Sequence, residues 1–448
     1  MIYSVHALAD YVCSLRAENM SSASRTAALR CVLDLLSAAA AGLNVPGVSA
    51  TRHVAHALYG KGSGGTSTIW FSGESSNAIG AAFCNSAAAS VLDLDDGHRI
   101  ARGHPGACVI PAAFATAAEV GASSDELLTS IIVGYEVCVR IAAARSVHAR
   151  SGVWCGYGAA AAAGWLRDTP PDKLAHALAI AGMTAPHLLS SNGGPRYPVP
   201  VGNDIKEGIP WATVGGMTAL YLAESGVCGP EDILDHAPHY DSKHLLAGLG
   251  SDEPMIRGTY FKPYACCRHI HAPVDAFSDL LVRHSIKPDD IERIDVHIYE
   301  GALLISNRRE PRNLVDVQFS IPYCLGLTAL MGTSCLLPVE NGVLGRPDVT
   351  AIANKVELHL DAALNARFPA ESLCRVVVTT THARYESQDT APRGEASDPM
   401  SWEDLREKFR RATRNVMPAE RQQCALDAVD QLEQGALDPL MRVLATRL

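Results

Sequence analysis

The chain has 448 residues, of which 48% are hydrophobic and 19% are charged, and its formal net charge is −10. This length exceeds the usual size of one hydrophobic core, so two domains are expected, and the composition is that of a globular protein rather than a disordered one. The acidic balance disfavours nucleic acid as a partner, whereas a small anionic substrate feels the local charge of a cleft and remains compatible with it.

The first twenty residues contain no basic segment followed by an uninterrupted apolar stretch, so no signal peptide is predicted. No run of about 18 apolar residues occurs, so neither a membrane-spanning helix nor a membrane partner is expected. The 13 cysteines form no CxxC pair and fit no zinc signature. They indicate reduced thiols in a cytoplasmic protein.

The first part of the chain is predicted to be mostly helical. Apolar or small residues at helical spacing predict helices over residues 21–43, 125–144, 157–166 and 210–226. Ser123 or Ser124 is the expected cap of the second helix, and Glu136 and Arg140 lie four residues apart on it, where they are expected to form a structural ion pair. The last two helices are rich in small residues, which suits tight helix–helix contact.

A glycine motif in this part resembles a dinucleotide-binding loop but is rejected. Gly60, Gly62 and Gly65 satisfy the GxGxxG spacing. Residues 66–73 follow them and are strand-like, so no helix N-terminus is available to hold a pyrophosphate. The motif is predicted to be a flexible turn.

The hydrophobic pattern changes from mostly helical to partly strand-like after about residue 261. Residues 291–300 alternate as a strand does, and residues 355–361 and 374–385 are predicted to form a strand pair. A polar linker over 386–399 precedes a helix that begins at Ser401 with a capping box. The predicted fold class is therefore mainly α with an inserted α+β lid domain. The helical domain comprises residues 1–260 and 395–448, and the lid comprises residues 261–394.

One short stretch, residues 92–106, crowds three acids and two histidines directly after an alanine-rich segment: Asp93, Asp95, Asp96, His98 and His104. Three interpretations are open at this point. A carboxylate beside a histidine orients the ring and raises its proton affinity, which serves acid/base chemistry. The same groups could ligate a metal, although no calcium-loop or zinc-helix spacing is present. The stretch could also be a solvated or structural loop.

Three further stretches hold cations and a phenol. Lys206 stands in a glycine-rich turn before a predicted helix, and Tyr323 lies early in an apolar helix. The junction into the α/β part gathers several polar side chains, namely Lys262, Tyr264, Arg268, His269 and His271. Together these residues could bind a carboxylate substrate through fixed cations and relay a proton.

Several segments resemble the MmgE/PrpD family, in order and over nearly the whole chain. They are SGESSNAIGAAFCNSAAASVLDLDDGH (72–98), GHPGACVIPAA (103–113), VGYEVCVRIA (133–142), KEGIPWATVGG (206–216), FKPYACCRHIHA (261–272), FSIPY (319–323) and DPMSWEDLREKF (398–409). The resemblance implies a two-domain MmgE/PrpD-like fold, with a helical domain built from both chain ends, an inserted lid and a homodimer. It also implies one of the family's activities: 2-methylcitrate dehydration, cis-aconitate decarboxylation or iminodisuccinate epimerisation.

Those activities share the movement of a proton next to a carboxylate, without a metal or other cofactor. Carried over by motif, the catalytic residues are Asp93, His104, Lys206, Lys262 and Tyr323. Lysines in a water-poor cleft would oppose the developing charge, where one well-placed donor is worth about 3–4 kcal/mol. His104 would act as base or acid, and Tyr323 would serve the opposite face of the substrate.

The chain departs from the family pattern at two places. Gly97 replaces a hydroxyl residue after the acid pair, and Trp154 stands near the position of a family histidine, which His148 matches only with a shift. The loss of a hydroxyl and a histidine should change which groups of the substrate the pocket binds. This loss favours an epimerase of the iminodisuccinate type, with the dehydratase and decarboxylase as alternatives and a non-catalytic binding protein as a further one. The expected substrate-binding residues are His98, Arg268, His269, His148 and Trp154.

Overall fold

The computed structural model describes residues 2–60, 67–186, 205–250 and 253–448. Of the three glycines in the rejected motif, Gly62 and Gly65 lie outside the described residues. The segment after them forms a hairpin of two short strands, β1 (Ser67–Ile69) and β2 (Glu74–Ser76), as its strand-like pattern predicts. A hairpin presents no helix N-terminus to a phosphate, which agrees with the rejection of the motif.

Helices dominate the rest of the first part. They are α1 (Ser4–Ser14), α2 (Ser22–Gly42), α3 (Pro46–Tyr59), α4 (Ala78–Ser90), α5 (Gly106–Val120), α6 (Ser124–Ala144), α7 (Cys155–Leu166), α8 (Pro171–Met183), α9 (Ile209–Glu224) and α10 (Ser242–Leu246). The four predicted helices correspond to α2, α6, α7 and α9. Between α4 and α5 lies a short strand, β3 (Gly97–His98), which pairs with β4 (Thr259–Tyr260).

Helix α6 begins and pairs as the sequence predicts. Ser123 Oγ accepts the backbone N–H of Glu126, and the Glu126 carboxylate accepts the N–H of Ser123, which completes a capping box. Further along the helix, Arg140 Nε lies 2.5 Å from Glu136 Oε1, and both side chains are buried. The predicted ion pair is therefore confirmed.

By length and composition α6 could cross a membrane, although the sequence contains no uninterrupted apolar run. However, 89% of its apolar window is buried inside the protein, as expected for a helix at the centre of a core. Among the described residues, α2 and α3 pass the same test only if the two helices, bent by 96°, are counted as one span.

The small-residue helices pack at very short range. A Cβ on Gly158 of α7 would lie 2.6 Å from the carbonyl oxygen of Gly134 in α6. A Cβ on Gly216 of α9 would lie 2.1 Å from the carbonyl oxygen of Gly156. Larger residues would push these helices apart, so the predicted role of the small residues in close contact is confirmed.

The smaller α/β part follows the first part. Its elements are α11 (Arg268–His284), β5 (Ile291–Ile298), α12 (Glu300–Leu303), α13 (Leu314–Gln318), α14 (Ile321–Met331), α15 (Pro347–Ala353), β6 (Val356–Leu360), α16 (Ala362–Arg367), β7 (Cys374–Thr380) and β8 (Arg384–Glu386). Four strands form one sheet in the order β6-β5-β7-β8. The predicted pairing of segments 355–361 and 374–385 is wrong, because β5 lies between them. It takes this central position with Ile294, Val296 and Ile298 fully buried.

The chain ends in three helices, α17 (Trp402–Thr413), α18 (Ala419–Glu433) and α19 (Asp438–Ala445). The predicted capping box is present, with Ser401 Oγ accepting the N–H of Asp404 and the Asp404 carboxylate accepting the N–H of Ser401. Helices α17 and α18 pack on α2, and α19 contacts β1. The tail thus returns to the helical part, while the exact domain bounds stay a prediction.

Candidate active site

The acidic stretch between α4 and α5 is buried. Asp93, Asp95 and Asp96 are each no more than 1% exposed. The backbone turns at Asp93, whose φ of +50° is left-handed, and it is anchored a few residues later by the pairing of β3 with β4. Gly97 is required there, because a Cβ would lie 2.3 Å from Cζ of Tyr260. The interpretation of this stretch as a solvated loop is therefore wrong.

Two lysines from distant segments converge on Asp93. Lys206 Nζ lies 3.1 Å from Asp93 Oδ1, and Lys262 Nζ lies 2.5 Å from the same oxygen. Lys262 also donates to the backbone carbonyl of Asp93. Burial by itself would raise the pKa of Asp93, but the two ammonium groups and His104 outweigh it and hold the pKa below its usual range. Asp93 is therefore an anion that keeps two buried cations together.

Lys206 has a second counterion in the next residue. Its Nζ lies 3.1 Å from Oε1 of Glu207, and 5.3 Å from the centroid of the Phe319 ring. Burial would lower the pKa of Lys206, but Asp93, Glu207 and Asp95 outweigh this effect, so the pKa is raised above its ordinary value. Lys206 is consequently a fixed positive charge near neutral pH.

His104 is oriented as a neutral imidazole with one nitrogen available. Its Nδ1 lies 2.7 Å from the backbone carbonyl oxygen of Asp96, which can only accept, so we assign the proton to Nδ1. Its Nε2 then carries the lone pair, 3.4 Å from Lys206 Nζ and 3.4 Å from Asp93 Oδ1. Burial, followed by the two lysines, lowers the pKa of His104 against the opposing carboxylates. This geometry can support acid/base chemistry at Nε2.

A serine and a glutamate support the backbone of this histidine. Ser151 Oγ donates to Glu207 Oε2 at 2.7 Å and accepts the N–H of His104 at 3.0 Å. Sequence reasoning missed both residues. Glu207 could have been found as the direct neighbour of Lys206, whereas no motif marks Ser151.

Asp95 is a further carboxylate close to the ring. Its Oδ2 lies 3.6 Å from Nδ1 of His104, and neither carboxylate oxygen has a hydrogen-bond partner among the described residues. Burial raises the pKa of Asp95 to about 6, although His104 and the two lysines oppose the shift. Asp95 can therefore gain or lose a proton near neutral pH, next to the imidazole.

Asp96 should make stability depend on pH. It accepts hydrogen bonds from the Tyr135 hydroxyl at 2.5 Å and the Gly106 N–H at 3.1 Å. Burial, followed by repulsion from Asp34, raises the pKa of Asp96 to about 7. Between the ordinary aspartate value of about 4 and this folded value, the unfolded chain is ionised while the folded chain is protonated. Stability therefore falls as pH rises, by about 1.4 kcal/mol per pH unit.

Asp96→Asn should remove this contribution to the slope, because the amide cannot ionise. Its oxygen can accept the Gly106 N–H, and its NH2 can donate to the Tyr135 hydroxyl. The free energy of unfolding, measured with urea at unit steps across that pH range, checks the expectation. A variant whose stability still falls with pH as steeply as that of the wild type would contradict the assignment.

The same cluster contains possible metal ligands. One ligand atom from each of Asp93, Asp95 and His104 lies within 4.8 Å of the others. However, two lysine ammonium groups contact Asp93, and a divalent cation at this place would be repelled by both at short range. The donor set therefore suits a metal poorly, and metal independence stays a prediction.

Among the described residues, the hydroxyl of Tyr323 makes no hydrogen bond to this cluster. Its hydroxyl, which is buried, donates to the backbone carbonyl of Val343 at 2.6 Å. Burial raises the pKa of Tyr323, and the charged side chains that influence it are Arg346 and Asp348. A buried phenol needs an acceptor, and the nearby carbonyl supplies it. The predicted proton donor for the opposite face is therefore engaged elsewhere.

Two predicted substrate-binding residues make hydrogen bonds within the chain, close to the acidic stretch. His98 Nε2 lies 2.8 Å from the Met255 carbonyl oxygen, and burial lowers the pKa of His98 to about 4. Trp154 donates to the Ala149 carbonyl at 3.3 Å and packs against Gly103, where a Cβ would lie 2.7 Å from Cζ2 of the indole. Both side chains are almost fully buried in these contacts, and their role in substrate binding stays a prediction.

Arg268 is also engaged within the chain. Its Nη2 donates to Glu395 at 2.7 Å, and its Nη1 donates to the Arg393 carbonyl at 2.9 Å. Arg99, which sequence reasoning missed, donates to Ser372 at 2.6 Å and also binds Glu395. The predicted linker thus contributes a partly buried carboxylate that binds two arginines, and Arg268 has little capacity left for a substrate.

His269 and His148 remain candidates for substrate contact. His269 Nδ1 lies 2.6 Å from the hydroxyl of Tyr299. Burial lowers the pKa of His269 to about 4, with Arg99 and His148 adding to the shift and Asp93 opposing it. His269 therefore lies within electrostatic range of the acidic cluster. The side chain of His148 is exposed to solvent.

Comparison with family models matches both parts of the chain. The MmgE/PrpD N-terminal domain matches residues 6–240, and the MmgE/PrpD C-terminal domain matches residues 264–434. The two matches correspond to the helical part and to the α/β part with most of the helical tail.

Comparison with individual proteins finds cis-aconitate decarboxylases. The chain is 31% identical over 329 residues to that of Aspergillus terreus strain NIH 2624, a match that covers 63% of this chain and 64% of the relative. It is 26% identical over 363 residues to the Homo sapiens protein, covering 74% of this chain and 71% of the relative. The match to the Mus musculus protein is 26% identical over 383 residues and covers 79% and 75% of the two chains. The chain thus spans less than two thirds of the length of the Aspergillus relative.

Proposed function

This chain belongs to the MmgE/PrpD family, and from that premise we propose that it is a lyase that decarboxylates a small unsaturated tricarboxylate of the cis-aconitate type. The relatives favour this alternative over the epimerase that the sequence departures suggest, because all those compared are named as decarboxylases. The observation that carries the proposal is the convergence of two ammonium groups and a neutral imidazole on one buried carboxylate.

The chemistry of decarboxylation fits these groups. The bond between a carbon and its carboxylate breaks and carbon dioxide leaves. The electron pair of the broken bond forms a new double bond to the neighbouring carbon. The original double bond is displaced, and a proton adds at its far carbon. Lys206 and Lys262 would bind the remaining carboxylates and oppose the charge that accumulates on them. His104 Nε2 would deliver the proton.

The neutral state of His104 suits a substrate-triggered proton uptake. Lys206 and Lys262 are, after burial, the causes of its lowered pKa. An anionic substrate bound beside them would offset their charge, so the pKa of His104 would rise and the ring would gain a proton on binding. The imidazole would then be charged only when an acceptor carbon is present.

A specific observation favours a changed specificity relative to other family members. The ring of Tyr260 occupies the space beside Gly97 that a hydroxyl-bearing side chain would need. Epimerisation of an iminodicarboxylate is therefore kept as the second candidate. A homodimeric state, a cytoplasmic location and the absence of nucleic-acid and membrane partners stay predictions of the sequence.

Incubation with cis-aconitate in deuterated water tests the proposal. We expect equal amounts of carbon dioxide and of a dicarboxylate one carbon shorter that carries one deuterium, detected by NMR. The rate should be unchanged after dialysis against EDTA, because no step uses a metal. Loss of turnover on dialysis and recovery with a divalent ion would revive the metal interpretation.

Two controls identify the alternatives. With 2-methylcitrate, loss of water to give an alkene would indicate the dehydratase. With an iminodicarboxylate, deuterium entry, an intact skeleton and an inverted configuration would indicate the epimerase. Either result without carbon dioxide release from cis-aconitate would reject the decarboxylase proposal.

A further inference from the structure

A third buried lysine reaches the acidic stretch from the C-terminal part of the chain. Lys408, on α17, lies with its Nζ 2.8 Å from the backbone carbonyl oxygen of Leu94, which it donates to. The same Nζ lies 2.5 Å from Oδ1 of Asp34 on α2. Lys408 is 2% exposed and Asp34 is 1% exposed, so both charges of this pair are buried.

The position of Leu94 makes this contact relevant to the site. Leu94 lies between Asp93, which binds both lysines of the site, and Asp95, which lies beside His104. A bond to its carbonyl fixes the peptide plane between Leu94 and Asp95, directly after the left-handed residue Asp93. Two residues later, the carbonyl of Asp96 accepts the Nδ1 proton of His104.

We infer that Lys408, with Asp34 as its counterion, is a positioning residue that sets the geometry of Asp93, Asp95 and His104 through the carbonyl of Leu94. The turnover measurements below rest on the proposed function, whereas the measurement on the histidine ring does not. Helix α17, which lies some 300 residues further along the chain, would thus have a role in the site.

A purely structural ion pair would behave differently from a positioning pair. A buried pair costs desolvation energy, so removing one partner is strongly destabilising, while replacing both with neutral residues is often tolerated. If the pair only stabilised the fold, the double replacement would restore stability and turnover together. If the bond to Leu94 positions the site, stability would recover while turnover stays low.

The experiment compares Lys408→Met with the double variant Asp34→Asn/Lys408→Met. We expect the single variant to have a lower unfolding midpoint and the double variant to regain most of it. Both should show kcat reduced about tenfold to a hundredfold, with a smaller change in KM, because small misplacements of reacting groups have effects of this size. A double variant with wild-type kcat would overturn the inference.

Leu405→Ala is the matched control, since Leu405 is buried on the same helix and carries no charge. It should lower the unfolding midpoint and leave kcat unchanged. A similar loss of kcat in this control would show that any disturbance of α17 slows the enzyme, which would also overturn the inference.

A second measurement is independent of the substrate. In 15N NMR spectra of histidine-labelled protein, the wild-type His104 ring should be a single tautomer protonated at Nδ1. The double variant should show a mixture of tautomers. Without the bond from Lys408 to Leu94, the backbone that carries the carbonyl of Asp96 two residues later is held less firmly. An unchanged tautomer would overturn the inference. If cis-aconitate is not a substrate but the tautomer changes, the proposed function fails and the inference stands.

Discussion

Replacement of His104 by glutamine should lower kcat by about a hundredfold to ten-thousandfold, the usual contribution of a general acid or base. The amide can still donate to the carbonyl of Asp96, where His104 Nδ1 now donates. It has no group that exchanges a proton near neutral pH, so the proton transfer at carbon loses its donor. Steady-state turnover of cis-aconitate at a pH near neutrality measures the effect.

The fold should survive this change, since glutamine is neutral and the wild-type ring is also held neutral by its lowered pKa. His176→Gln is a suitable control, because His176 lies on α8 near Glu231 rather than in the acidic cluster. It should retain normal turnover. A kcat for His104→Gln within a few-fold of the wild type would contradict the assigned proton role.

Replacement of Asp93 by asparagine should have the largest effect on stability. Two buried ammonium groups lie within 3.1 Å of its Oδ1, and the neutral amide leaves Lys262 without a contacting carboxylate among the described residues. Breaking a buried ion pair from one side costs about 3–5 kcal/mol. Turnover should be lost as well, because the lysines no longer have a common anchor. Urea unfolding and steady-state kinetics measure the two effects.

Asp295→Asn is the matched comparison for this prediction. Asp295 also contacts two basic side chains, with Arg293 Nη2 at 2.6 Å and His359 Nε2 at 2.6 Å, but Arg293 is more than half exposed to solvent. Such pairs contribute at most about 1 kcal/mol. A loss of stability as large as that of Asp93→Asn would mean that burial is not the cause of the effect.

Much of the local structure could be predicted from the sequence. Helices α2, α6, α7 and α9 and both capping boxes follow from residue spacing and from short-range hydrogen bonds. The acidic stretch and its histidines were also visible, because Asp93 and His104 lie in one continuous segment. Local patterns suffice here because helix periodicity and capping involve residues only a few positions apart.

Other features depended on packing between distant segments. The order of strands in the sheet placed β5 between β6 and β7, although the sequence suggested that segments 355–361 and 374–385 pair directly. Tyr323 lies in a family-like motif, yet its hydroxyl is satisfied by the carbonyl of Val343. Neither the strand order nor this hydrogen bond leaves a signal in the neighbouring residues.

By itself, therefore, the sequence determined the helices, the family resemblance and the types of residue available for acid/base chemistry. Only the tertiary structure decided that Glu207 and Ser151 hold His104, and that Lys408 binds the carbonyl of Leu94. The reason is that a buried charge or carbonyl must find a partner wherever packing supplies one, and that partner can come from any distance along the chain.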